Sequence, residues 1–149
     1  MDSSEHKIDR QVSFEGSELT ISAIAMEHGV HLDIVGEPQS YWYPVLCTII
    51  YYAFEPVKLL GTAIRRGHLE FDNQIGFAYH GVASIDIPAG HVACQVQGKR
   101  TDIPSNVFDR VVIESMQSLI DGADKFDLPL EDRPQIDRLL GELRRVAGH

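Results

Sequence analysis

Between Glu37 and Glu55 the chain runs for 17 residues without a charge, and this stretch holds four of the five tyrosines and the only tryptophan. A segment of this kind crosses a membrane, lies inside a fold, walls a ligand pocket or meets a partner. Pro38, Gln39, Ser40 and Pro44 interrupt its first part, leaving a continuous apolar run of 10 residues, Val45 to Phe54. A spanning helix needs about 20, so a membrane segment is excluded here.

Strand geometry places Val45, Cys47, Ile49, Tyr51 and Ala53 on one face of this run and Leu46, Thr48, Ile50, Tyr52 and Phe54 on the other. Both faces are apolar, which reads as a central strand covered on both sides. The β-branched and aromatic content favours that reading over the alternative, a buried helix. Tyr41, Trp42 and Tyr43 lead into it. They are candidate binding residues, because such rings offer rigid contact area with a polar tip, or else they simply close over the core.

Alternation at a period of two is clearest earlier in the chain. Leu19, Ile21, Ala23 and Ala25 alternate with Thr20, Ser22, Ile24 and Met26, and Val30, Leu32 and Ile34 alternate with His31, Asp33 and Val35. A tight turn at His28 and Gly29 would join the two runs as a hairpin. Ile8, Arg10, Val12 and Phe14 suggest a weaker strand before it. After the apolar run, Pro56 suits the first turn of a short helix through Val57, Leu60 and Ile64 to Gly67, with another strand over residues 56–66 as the alternative. Glycines 67, 76, 81, 90 and 98 then punctuate the runs HLEFDNQI, FAYH, VASIDIPA and HVACQVQ. This spacing predicts a meander of short antiparallel strands with a turn at IPAG.

Beyond Pro104 the period changes to three and four. Val107, Phe108, Val111, Val112, Met116, Leu119 and Ile120 predict an amphipathic helix with Ser105 as N-cap and Gly122 as terminator. Residues 123–131 would connect it to a second helix, whose stripe of Ile136, Leu139, Leu140 and Leu143 opposes Asp137, Arg138, Glu142 and Arg145. Strands first and helices last imply an α+β fold: a curved antiparallel sheet or partly open barrel of about seven strands, with two C-terminal helices packed on it. The length suits a single globular domain over residues 1–149, with residues 1–7 flexible at its start.

The net charge of -9 is uneven, because residues 1–37 hold eight acidic side chains against Lys7 and Arg10. A phosphate backbone would be repelled, and the pairs Arg65-Arg66 and Lys99-Arg100 are too small to reverse that. Nucleic acid is therefore not an expected partner, whereas a basic protein is allowed. The plainer and favoured reading is that the acidity aids solubility. Cys47 and Cys94 match no metal or redox spacing, and no secretory signal opens the chain, so a reducing cytoplasm is the expected location.

The seven histidines show no His-x3-His or related zinc spacing, and no metal or other cofactor is expected. No Ser or Cys sits in a nucleophile elbow, and GKRT lacks the glycine spacing of a phosphate loop. Three function classes survive, the plainest being a structural subunit that self-associates through the stripe of Ile136, Leu139, Leu140 and Leu143; the other two are sharper. The first is a non-enzymatic, acidic, cytoplasmic protein-binding module that uses Tyr41, Trp42 and Tyr43. It would act on a basic partner, as an inhibitor or immunity-type protein does, or on copies of itself as a homo-oligomer. The second is a small-molecule-binding or isomerase-like barrel whose pocket joins Tyr51, Tyr52, His68, Glu70 and His91, with Glu70 tuning a histidine as general base.

Overall fold

The structure, a computed structural model, describes residues 6–14, 16–70, 74–82 and 86–148. Among the described residues, seven strands and four helices follow one another as β1 (Lys7–Phe14), β2 (Ser17–Met26), β3 (Gly29–Glu37), α1 (Gln39–Tyr52), α2 (Pro56–Ile64), β4 (His68–Leu69), β5 (Ile75–Tyr79), β6 (His91–Val96), β7 (Lys99–Pro104), α3 (Ser105–Phe126) and α4 (Arg133–Ala147). The fold is α+β and both its sheets are antiparallel, with orders β1-β2-β3 and β4-β5-β6-β7. The single curved sheet or partly open barrel expected from the sequence is thus two separate sheets. Helices α1 and α3 pack on both of them and supply the apolar surface they share.

The first sheet follows its alternation. Ile21, Ala23, Leu32 and Ile34 are buried, whereas Asp33, Val35 and Glu37 face outward. The hairpin turn lies one residue earlier than expected: Glu27 and His28 form it, and Gly29 already pairs with Met26. Strand β1 begins at Lys7, inside the stretch expected to be flexible, and residues 1–5 lie outside the described residues.

The largest departure is Val45 to Phe54, which is helical up to Tyr52 rather than a central strand. Trp42, Val45, Leu46, Ile49 and Tyr52 recur at helical spacing and are buried in the core. Burial of these side chains outweighs the β propensity of the run, a preference worth only about 1 kcal/mol across its whole scale. Residues 56–66 resolve as the helix, with Pro56 in the first turn of α2.

In the second sheet, HLEFDNQI contributes β4 at its start and Ile75 of β5 at its end, with 71–73 outside the described residues. The described residues of VASIDIPA are not strand, and 83–85 also lie outside them. The IPAG turn is present, with Gly90 at φ 73°. Strand β7 was not anticipated. It returns after Gln97 and Gly98, at φ 50° and 84°, the paired left-handed residues that a two-residue hairpin turn favours.

Helix α3 starts after Pro104, so Ser105 is its first residue and not its cap, and it continues through Gly122 to Phe126. Gly122 is a contact point with the first sheet, since a Cβ there would lie 2.9 Å from that of Ala23. The connector is correspondingly shorter, 127–132. Helix α4 buries the expected Ile136, Leu139, Leu140 and Leu143, but packs chiefly on α2 and α3 and not on a sheet.

One polar cluster is set into this core. Asp109 of α3, 1% exposed, accepts hydrogen bonds from Tyr79 Oη at 2.5 Å and Arg66 Nη1 at 2.7 Å. Arg66 also lies over the Tyr79 ring, 4.9 Å from its centroid. Burial, and then the Asp109 carboxylate, push the Tyr79 hydroxyl far above the ordinary tyrosine pKa and keep it a donor. Asp109→Ala leaves that hydroxyl without its acceptor and Arg66 without its counter-charge. We expect a loss of about 3 kcal/mol in urea unfolding, within the range for breaking a largely buried pair.

Two glycines with opposite surroundings provide a second test. A Cβ at Gly76 would come within 2.3 Å of the Leu69 carbonyl oxygen, because β4 backbone crosses β5 there, whereas a Cβ at Gly141 in α4 meets nothing within 4 Å. Gly76→Ala is expected to destabilise by about 2 kcal/mol or more through backbone displacement. Gly141→Ala should stabilise by about 0.5–1 kcal/mol through helix propensity. Thermal unfolding of both variants checks the pair.

Candidate functional site

Helix α1 carries no charge, and its outer side is apolar as well. Tyr43, Cys47, Ile50 and Phe54 follow one another at intervals of four, three and four from α1 into the turn after it, which aligns them on one face; Tyr51 flanks them. Tyr43 is 38% exposed and Phe54 67%. Helices apolar all round are normally enclosed, so this stripe is the least expected surface on the molecule.

Strand β3 lies beside the stripe. It is an edge of the first sheet, with Val35 57% exposed. Among the described residues no hydrogen bond or ion pair reaches β3 from outside its own sheet. The opposite edge, β1, is tied to α3: Arg10 binds Glu114 and Asp121 at 2.8 and 2.6 Å, and Arg110 donates to the Ser13 carbonyl at 3.3 Å.

Between β3 and α1 runs a groove of about 310 Å³, with Asp33, Val35 and Glu37 on one side and Tyr43, Cys47 and Ile50 on the other. Ile50 and Leu32 lead from it to a wider cleft of about 540 Å³, where His28 and His31 meet Phe54, Lys58, Leu119 and Leu130. The His31 ring stands edge-on to Phe54, 5.3 Å between centroids. Among the described residues, no three His, Cys, Asp or Glu side chains gather closely enough to hold a metal ion, and no helix is long and apolar enough to cross a membrane.

The three aromatics singled out from the sequence separate in space. Tyr41 and Tyr43 are partly exposed, and Lys99 of β7 lies 5.2 Å from the Tyr43 ring centroid. Trp42 is 1% exposed, tilted against Phe14 at 5.7 Å, with its ring on the backbone of Gly36. It is a core residue at the groove floor and not a free surface ring. Its indole N–H is buried without an acceptor among the described residues.

The alternative pocket set is only partly assembled. Tyr52 donates to the Ile75 carbonyl at 3.1 Å and approaches Glu70 at 3.4 Å. Burial, then the charge of Glu70, raise its pKa to about 12. Tyr51 stands edge-on to Tyr52 with its own ring half exposed. His68 is exposed, in register with Ala78 and through it with Ala93 on the outer face of the second sheet; His91 sits two strands away and two residues along. His91 is engaged with the Ala89 carbonyl at 2.9 Å. Neither histidine lines the groove or the cleft described above.

Sequence reasoning missed Cys47, Ile50 and Phe54 as surface residues. Their signal was the 3.6-residue spacing within a run that is apolar on every face. Comparison of the chain with protein-family models, with curated proteins and with solved structures found no match.

Two substitutions separate the packing of Trp42 from its polar handle. Trp42→Ala opens a cavity between Gly36 and Phe14 and is expected to cost about 3–5 kcal/mol. Trp42→Phe retains most of the ring and removes an unpaired donor, so its cost should stay below about 1.5 kcal/mol. Urea unfolding curves of the two variants check the difference.

Proposed function

We propose that the chain is a non-enzymatic protein-docking module whose contact surface is the outer stripe of α1 together with the free edge of β3. One observation carries this reading: an uncharged helix leaves Tyr43, Cys47 and Ile50 on an open groove beside a strand edge that is unpaired among the described residues, and Phe54 continues their line into the adjoining cleft. Such an edge accepts an added strand through main-chain hydrogen bonds, and the groove beneath supplies side-chain pockets. Of the aromatics proposed for binding, Tyr43 belongs to this surface; Trp42 supports it from below.

Electrostatics adds direction. Glu18, Asp33 and Glu37 lie on the outward face of the first sheet at or beside this edge, with Asp9 on the same face two strands away on β1, and a basic protein would be drawn to them. In a reducing cytoplasm Cys47 would remain a thiol, in keeping with the rise that burial gives its pKa. A second reading places a small, partly apolar ligand in the cleft of about 540 Å³, where His28 and His31 would supply the polar contacts.

The double variant Phe54→Glu with Tyr51→Lys puts charge on exposed positions and should melt as the wild type does. It is expected to lose the protein contacts of the wild type, whether to copies of itself or to another protein, in native mass spectra of the gently purified chain. Unchanged assembly and unchanged co-purifying proteins would refute the docking surface. A small-molecule adduct on both variant and wild type, with no protein contact on either, would favour the cleft.

A further inference from the structure

We infer that the groove is filled by a second copy of this chain, the two β3 edges pairing antiparallel about a two-fold axis at Ile34. The inference rests on the docking reading above and names its partner. It is carried by the order of charges along the edge together with the place of the groove beside it.

Met26 and Gly29 close a two-residue hairpin. The pattern of alternating bonded pairs then assigns Gly29, His31, Asp33, Val35 and Glu37 to hydrogen bonds with β2. Val30, Leu32, Ile34 and Gly36 turn their backbone N–H and C=O groups toward the free edge. A second β3 can use those groups only in registers that set even residues opposite even ones, and three such registers keep most of the strand paired.

The side chains between them, and then the groove, decide which is favourable. With Asp33 opposite its own copy, two carboxylates face each other. With Leu32 opposite its copy, His31 faces Asp33 twice and Val35 faces Gly29. With Ile34 opposite Ile34, His31 faces Glu37 twice and Asp33 faces Val35, so no carboxylate opposes another. Like charges directly opposite destabilise a strand pair, so the Asp33 register is disfavoured. Of the other two, only the Ile34 register pairs all of the strand that lines the groove, Asp33 to Glu37, whereas the Leu32 register leaves Gly36 and Glu37 out.

The same axis disposes of the apolar stripe. Helix α1 runs back along β3, with Trp42 against Gly36 and Phe54 against His31. A two-fold at Ile34 therefore sets α1 antiparallel to its copy. Cys47, midway along the stripe and on the groove with Ile34, comes nearest its own counterpart. The contact is self-complementary and closed, as two-fold interfaces are, and it ends with no edge of the first sheet's β3 left over.

The test begins with sedimentation equilibrium of the full chain at micromolar concentration, where a mass of twice 16.7 kDa is expected. A short bismaleimide should link the chains through Cys47, and Cys47→Ser should abolish the link, since Cys94 is fully buried. His31→Glu should weaken the dimer about tenfold by facing Glu37 with a like charge, and adding Glu37→Lys to it should restore the affinity. His31 and Glu37 are exposed, so both variants should still unfold in one cooperative transition.

A chain that stays monomeric, or a dimer indifferent to both substitutions, overturns the inference. In a Cys47→Ser background, His31→Cys with Glu37→Cys should form disulfide-linked dimers, whereas linkage by Asp33→Cys alone would overturn the register. If the wild type is monomeric while Phe54→Glu with Tyr51→Lys still releases a different protein, only the second copy is excluded and the docking surface stands.

Discussion

The enclosure of α1 organises the molecule. Its inner half, Trp42, Val45, Leu46, Ile49 and Tyr52, joins residues of both sheets and of the other three helices in one apolar cluster. Burying each such side chain contributes roughly 1.5–3 kcal/mol, so this half of the helix is worth far more than any local propensity in the segment. Because α1 packs against β3 on one side and against β5, β6 and β7 on the other, the strands cannot merge into one sheet. The edge of β3 stays open as a direct result. Gly36 marks how close the approach is, since a Cβ there would lie 3.0 Å from Trp42 Cγ.

Where a side chain's neighbours are dictated by its own element, the sequence was legible. Leu19 to Val35 alternate cleanly because one face meets the core and the other meets water, and the hairpin follows from that contrast. Val111, Met116 and Leu119 in α3, and Ile136, Leu140 and Leu143 in α4, show the helical period for the same reason. Residues 45–54 defeated the method because contrast is absent there. Both faces are apolar, so neither a period of two nor one of 3.6 stands out, and β propensity tipped the reading toward a strand. The candidate site fell in that blind region: Tyr43 was named, but Cys47, Ile50 and Phe54 were assigned to the interior.

The polar core cluster was illegible for a different reason. Arg66, Tyr79 and Asp109 are separated by 13 and 30 residues and lie on α2's C-terminal turn, β5 and α3. No local pattern connects them; only the fold does. Arg66 reaches Asp109 from a left-handed backbone position, φ 54°, which directs the chain from α2 into β4. The cluster ties three elements that share no hydrogen-bonded ladder. Its stabilising effect comes from being complete, since a buried carboxylate with only one of its partners would be a cost.

The two edges of the first sheet differ in a way that bears on function more directly than any single residue. An unprotected edge strand is a hazard, and folds that must stay monomeric cover or charge theirs. Here β1 is bound to α3 through Arg10 and Arg110. Strand β3 is nine residues long, bears an exposed valine, and lies over an apolar groove with no such tie among the described residues. Its two acids do not make it generally repulsive, because they alternate with His31 and Val35 at the same two-residue step. Charge spaced in this way discriminates between registers: it opposes pairing of the edge with itself about Asp33 or Val35 and permits pairing about Leu32 or Ile34. Protection of one edge and selective charge on the other are what the proposed pairing of β3 with a partner requires.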